Sequence, residues 1–352
     1  MASGPDGFAR FVADPEVLSV NRLAMRTPFA HEADDVISLD GGWAATRYGH
    51  PSGVPDSAVA RGTDDTAWRS LEVPGNWTLQ GMGDFPHYTN VVMPWRGMPP
   101  ALPDEVATVV HRRNFTVPGR WKGRSVVLHV GGAESVHGVW VNGEFVGYGT
   151  DSRLASEYDV TPFLVPGSNT IAIAVSRFSA QSHVEDQDQW WMAGLHRTVF
   201  VWARHEAHIA DVRVDAGLRD DNTTGTLRVA TAVGTNSGGP VGPGWTVRVD
   251  VATEDGRALR TMSAEVASNL MPYVYEGQHA VSECEIPRVR PWSAEQPVRH
   301  RVTVTLLDPS GAGVHTVQQW TGFRRVEIRD GNLLVNGARV MVRGVNRHDH
   351  HP

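Results

Sequence analysis

Between residues about 106 and 204 the chain alternates short apolar runs with turn residues. The runs Val126–Val130, Val136–Val141, Glu144–Gly147, Thr170–Val175 and Thr198–Val201 are mostly rich in β-branched or aromatic residues, so each predicts a strand. Asn142-Gly143 between two of them is a two-residue hairpin signal. Many short strands with frequent turns predict a sandwich or jelly roll. A second set follows at Ile209–Asp215, Gly225–Val233, Trp245–Ala252, Ala258–Val266, His279–Ile286 and His300–Leu307. Six or seven strands in about 120 residues fit an immunoglobulin-like sandwich. Residues 1 to 70 read as irregular apart from a strand-like piece at Trp43–Tyr48, and no long amphipathic helix is evident. The resulting division is a first β domain at 1–205, a second at 206–325 and a third element at 326–352.

The third element begins with two closely spaced turns, Asp330-Gly331 and Asn336-Gly337, and the run Arg339–Val345 then predicts a strand. Asn346, Arg347, His348, Asp349, His350 and His351 crowd hydrogen-bonding groups at its end. Polar groups at the C-terminal end of a strand are the pattern of an α/β-barrel mouth. Residues 326–352 are far fewer than the roughly 250 such a barrel takes, so the expectation is an incomplete barrel.

Composition narrows the class. Gly 36 and Pro 22 agree with a turn-rich β protein. A net charge of -7 argues against nucleic acid or an anionic membrane as partner. The single Cys284 excludes an intramolecular disulfide and fits a reducing compartment. No apolar run approaches the roughly 20 residues of a membrane span, and residues 1–10 lack a signal-peptide pattern, so a cytoplasmic protein is expected.

The sharpest chemical constellation is Glu185-Asp-Gln-Asp-Gln-Trp-Trp191, with three carboxylates and two carboxamides beside two indoles. Such a mixture suits a sugar, whose hydroxyls take the hydrogen bonds and whose C–H face packs on aromatic rings. Its oxygens also suit a hard cation. The competing reading is an acidic surface loop with the tryptophans in the core. Phe85-Pro-His-Tyr-Thr-Asn-Val-Val-Met-Pro-Trp95 is either a loop pinned by buried aromatics or one presenting Asn90 to a polyhydroxylated ligand. On a continuing strand His348 and His350 would share a face, but two ligands are too few for a closed metal site. Phosphate-binding, dinucleotide, zinc and Gly-x-Ser-x-Gly motifs are all absent from the sequence.

The motifs Asn21-Arg-Leu23, Ser38-Leu-Asp-Gly-Gly-Trp43, Val73-Pro-Gly-Asn-Trp77, Tyr88-Thr-Asn-Val91 and Trp140-Val-Asn-Gly143 occur in this order. Gly147-Tyr-Gly-Thr-Asp-Ser-Arg153, Glu185-Asp-Gln-Asp188, Gly194-Leu-His-Arg197, Trp292-Ser-Ala-Glu295, Gly322-Phe-Arg324 and Arg343-Gly-Val-Asn-Arg-His348 follow. Together they resemble the N-terminal third of glycoside hydrolase family 2, and within it the large multidomain β-galactosidases. The resemblance implies a jelly-roll sugar-binding domain, an immunoglobulin-like domain and the start of a (β/α)8 barrel. It implies that Asn90, Asp188 and His348 bind galactosyl hydroxyls, and that Asp188 also ligates sodium. It implies retaining hydrolysis of β-galactosides such as lactose by two glutamates on later barrel strands, beside a magnesium site, in a homotetramer. The 352-residue chain lacks those glutamates on this reading. Two departures stand out: Asp104-Glu-Val-Ala-Thr108 replaces a usual Asn-Pro-Thr-Gly-like turn, and Asp349 stands where Glu is common. Two other readings compete with a β-galactosidase portion: a free-standing lectin-like carbohydrate-binding module, and an inert enzyme remnant.

Overall fold

The computed structural model describes residues 4–89, 92–185, 187–267, 277–347 and 351. It is mainly β and divides into two compact units.

The first unit takes residues 4–25 and Val36–Ala203, with the described residues from Asn346 onward. Its larger sheet has seven antiparallel strands in the order Ser19–Val20, Glu144–Gly149, Val136–Val141, Ser168–Ser176, Thr108–Thr116, Gly41–Tyr48 and Arg69–Val73. A four-stranded sheet, Ser156–Asp159, Ser125–Val130, Val199–Arg204 and Val36–Ser38, faces it across one core. That core contains Trp43, Trp77, Trp121, Leu128, Val139 and Ile173. The other face of the larger sheet is also covered. Trp140, Tyr148, Ala172 and Ala174 pack there against Phe8 and Val12 of the helix Pro5–Ala13. Burial on both faces explains why Val136–Val141 is buried at every position instead of alternating.

The helix Pro5–Ala13 and the short strands Ser19–Val20, Ala30–His31 and Val36–Ser38 correct the expectation of an irregular start. Phe8, Phe11 and Val12 supply the helical spacing, but nine residues without a side-chain N-cap leave only a weak signal.

The second unit contains the six strands named for the second domain and a seventh, Gly313–Thr321. Ala207–Leu218, Gly225–Thr235 and Gln278–Ile286 form one sheet; Gly313–Thr321, His300–Leu307, Thr246–Thr253 and Ala258–Glu265 form the other. Val212, Val229, Val249, Val304 and Phe323 fill the space between. An eighth strand comes from far away in sequence. Residues Arg26–Asp35 pack with this unit, and Ala30–His31 pairs with Val317–Gln318 at the sheet edge. This protects a strand that would otherwise expose unpaired backbone groups.

Three strands, Val326–Arg329, Asn332–Val335 and Ala338–Arg339, follow as an antiparallel meander. Both hairpin dipeptides act as expected: Asp330, Gly331, Asn336 and Gly337 all have positive φ, as a type I′ turn requires. The expected strand Arg339–Val345 is only begun. The last backbone bond to the neighbouring strand runs from the Val340 amide to the Leu333 carbonyl at 2.9 Å, and Met341, Val342 and Val345 are exposed. Beyond Val340 the run has no neighbouring strand among the described residues to take its backbone groups, so its β propensity has nothing to act on there.

Candidate functional site

A cleft of about 240 Å³ lies in the first unit, beside the acidic segment singled out in the sequence. Its lining includes Glu134, Ser152, Arg153, Arg177, Glu185, Gln187, Gln189 and Trp191.

Arg177 organises the segments that reach this cleft. It follows the buried strand Ser168–Ser176 and is itself buried. Its guanidinium donates to Asp84, to the Phe85 carbonyl at 2.8 Å and to the Trp191 carbonyl at 3.3 Å. The same Nη2 lies 2.7 Å from His87 Nδ1. Burial, and then the Arg177 charge, hold the His87 pKa below its usual value, which keeps an acceptor facing the guanidinium. One cation thus ties residues 84–87 to Trp191.

These segments also share backbone bonds, His87–Tyr88 pairing antiparallel with Trp190–Trp191. The Trp191 indole donates to Thr89 Oγ1 at 2.7 Å and packs among His87, Trp95 and Phe178. At 7 % exposure Trp191 is a core residue and not an open sugar platform. Trp190 is half-buried and meets Tyr88 edge to face. The structural reading of these indoles is therefore correct for Trp191.

All three carboxylates in the wall serve the scaffold, Asp151 accepting from Arg22 Nη1 at 2.9 Å. Glu134 accepts from Arg153 Nη1 at 3.0 Å and from the Met192 amide at 3.4 Å. Burial raises its pKa; Arg153 opposes that rise, and the nearby Glu185 charge adds to it. Glu185 accepts from the Ser152 amide at 3.2 Å and from the Ser152 hydroxyl. His196 stands behind, 2.8 Å from the Ser152 carbonyl through Nε2, which donates. Its pKa is lowered to about 4 by burial, then by Arg153 and Arg197, so the ring is neutral near pH 7.

Of the three residues expected to touch a sugar, Asp188 is described and lies exposed between Gln187 and Gln189, which line the cleft. Asn90 and His348 lie outside the described residues. In sequence Asn90 follows Thr89 directly, and Asp188 precedes Gln189, so both extend from the paired segments. As a hard oxygen donor Asp188 suits an alkali cation, but it is one donor. Among the described residues no group of three or more His, Cys, Asp or Glu is gathered for a metal. Sodium at Asp188 would thus depend on further ligands beyond these.

Sequence reasoning gave no role to Arg177, Glu134 or Ser152. The available signal was a charge abutting a buried strand: Arg177 after Ile171–Ser176, and Glu134 just before Val136–Val141.

Residues 36–204 match the sugar binding domain of glycosyl hydrolases family 2, and 207–324 match a second domain described as glycosyl hydrolases family 2. Residues 326–352 match the family's TIM barrel domain. The chain is 34% identical to a β-galactosidase of Psychromonas ingrahamii, covering 89% of this chain and 30% of that one. Identity is also 34% to a β-galactosidase of Yersinia pestis bv. Antiqua (strain Angola), covering 96% and 34%. The chain therefore spans about a third of the length of these curated relatives. A β-glucuronidase from Bifidobacterium dentium superposes with a TM-score of 0.67 at 21% identity, over 90% of this chain and 52% of that one. A family 2 member from Bacteroides cellulosilyticus gives 0.70 at 16% identity, over 88% and 39%, and both structures speak for the fold alone. Three consecutive domain models of one family, in register with the two sandwiches and the terminal meander, place this chain in glycosyl hydrolases family 2.

Proposed function

We propose that the chain is the N-terminal, sugar-reading portion of a β-galactosidase. The observation that carries this reading is the cross-tied pair of segments that ends in Thr89 on one side and in Gln187, Asp188 and Gln189 on the other. The similarity to curated β-galactosidases supports galactose as the sugar. Asn90, Asp188 and His348 would bind galactosyl hydroxyls, and the carboxylate would add a charge-assisted bond. Asp188 would also be one ligand of a sodium ion. The magnesium site and both catalytic glutamates would belong to the barrel, and the whole enzyme would be a cytoplasmic homotetramer acting on lactose or similar β-galactosides.

Retaining hydrolysis needs a proton donor and a nucleophile about 5–5.5 Å apart across the glycosidic bond. Glu134 and Glu185 are unsuited to that work, because Arg153 and Met192 engage one while Ser152 engages the other. The 352 residues alone should therefore bind galactose weakly and hydrolyse nothing. Incubating purified chain with a chromogenic β-galactoside tests this, with and without a separately produced family 2 barrel. Activity only in the presence of the barrel would support the reading. Turnover by the chain alone that survives repurification would overturn it.

A further inference from the structure

The second unit carries a cavity of about 780 Å³ in which four arginines, Arg257, Arg288, Arg290 and Arg299, meet only two carboxylates, Glu254 and Asp255. Such a local positive excess is unexpected on a chain of net charge -7. Arg299 is spoken for: it pairs with Glu254 and lies over the Trp320 ring at 5.0 Å. Asp255 takes a hydrogen bond from the Thr253 hydroxyl. Among the described residues Arg257, Arg288 and Arg290 make no salt bridge, although all three line the same space. Like charges gathered in one concavity repel each other, and an anion among them removes that cost.

His300 gives a second, independent indication. It lines the cavity, is 1 % exposed and packs edge to face on Phe323 at 4.9 Å. Its Nδ1 is buried without a hydrogen-bond partner among the described residues, an arrangement that calls for an explanation.

We propose that Arg257, Arg288 and Arg290 form a binding site for the phosphate group of a small phosphomonoester, with His300 as a proton-coupled group at its wall. Guanidinium forks match phosphate oxygens in geometry and charge. The cavity falls in the roughly 300–1,000 Å³ range of small-molecule sites, so it has room for the organic part of an ester as well as its phosphate. Burial, and then the charges of Arg257 and Arg290, lower the His300 pKa. Bound phosphate would neutralise that second influence and raise the His300 pKa, so binding would couple to proton uptake at His300.

The test is calorimetric titration of the full chain at low salt with inorganic phosphate and with adenosine monophosphate, with His300 followed by NMR. We expect saturable binding, an upward His300 pKa shift and at least about tenfold weaker binding in R257Q/R290Q, the scale of one lost charged hydrogen bond. Both substituted residues are exposed, so folding should survive, and a thermal melt checks it. Arg248→Gln, at an arginine paired with Asp250 outside the cavity, should bind as the parent does. Tighter binding of the monophosphate would show that the cavity reads the ester body. Equal affinities would show that it reads the phosphate group alone. No saturation up to about 10 mM, unchanged binding in R257Q/R290Q, or an equal loss in Arg248→Gln would each overturn the proposal.

Discussion

Replacing Arg177 by Met tests whether the segments at the cleft are held by one buried cation. The substitution keeps a long, unbranched side chain while removing the charge and its hydrogen bonds to Asp84, Phe85 and Trp191. Arg177 and Asp84 have side-chain exposures of 5% and 13%, so solvent does little to screen them. Removing one partner of a buried ion pair costs about 3–5 kcal/mol, chiefly through the stranded charge. Asp84 keeps one donor, Trp77 Nε1 at 3.3 Å, which points to the lower end, about 3 kcal/mol. Urea unfolding would measure the loss, and R177M/D84N should recover part of it because no charge is then stranded. A second readout is local. Arg177 depresses the His87 pKa, so His87 should titrate at higher pH in Arg177→Met. A stability loss below about 1 kcal/mol together with an unmoved His87 titration would refute the reasoning.

Three further outcomes follow from the same structure. Burial lowers the pKa of His111 to about 4 and that of His137 to about 3, so unfolding takes up protons below the unfolded value near 6.5. Their contribution is complete above that pH and lost as pH falls toward 4 and below; by pH 5.5 the loss amounts to about 3 kcal/mol for the pair, and a stability curve flat from pH 7.5 to 5.5 would contradict this. Gly194 has φ +146, and an added Cβ would lie 2.3 Å from the Gly75 carbonyl oxygen, so Gly194→Ala should cost about 2–4 kcal/mol in a denaturant titration. In a β-galactosidase assembled with its barrel, Asp188→Ala should lower kcat/KM by the equivalent of about 1.5–4 kcal/mol and abolish any sodium dependence; normal kinetics with that dependence intact would exclude the proposed role.

The sequence is most readable where β-branched residues and hairpin dipeptides agree. Val136–Val141 and His300–Leu307 match the expected strands residue for residue. Thr108–Thr116 is harder to see because His111, Arg112 and Arg113 interrupt its apolar pattern. Yet Arg112 is buried, satisfied by the Ala58 and Ala60 carbonyls and by Asp65, partners distant in sequence. Gly313–Thr321 buries His315 and Val317 between polar positions and gives an equally weak signal. The strap Arg26–Asp35 joins a sheet built of residues far downstream, and periodicity carries no information about such a pairing. Of the candidate site, the segments were legible because carboxylates, amides and indoles cluster in them. Arg177 was not, because its role is to join two stretches of chain, residues 84–87 and Trp191, that lie far apart in sequence.

Glu134 shows how chemistry alone can mislead. A buried acid with a raised pKa in a cleft is the usual profile of a general acid, and a second carboxylate close enough to contribute to that rise strengthens the impression. Hydrogen bonding decides otherwise. A general acid must present its proton to the substrate, whereas Glu134 meets a guanidinium and a backbone amide, both of which favour its ionised form. Glu185 is likewise fixed by the amide and hydroxyl of one serine. The charges in this cleft therefore tie together the Glu134 turn, the Asp151–Leu154 loop and the segment from Ser182 to Met192. A scaffold that spends its buried charges on fixing loops is suited to hold an exposed residue such as Asp188 in place. On the proposed reading, bond cleavage would fall to the carboxylates of the barrel.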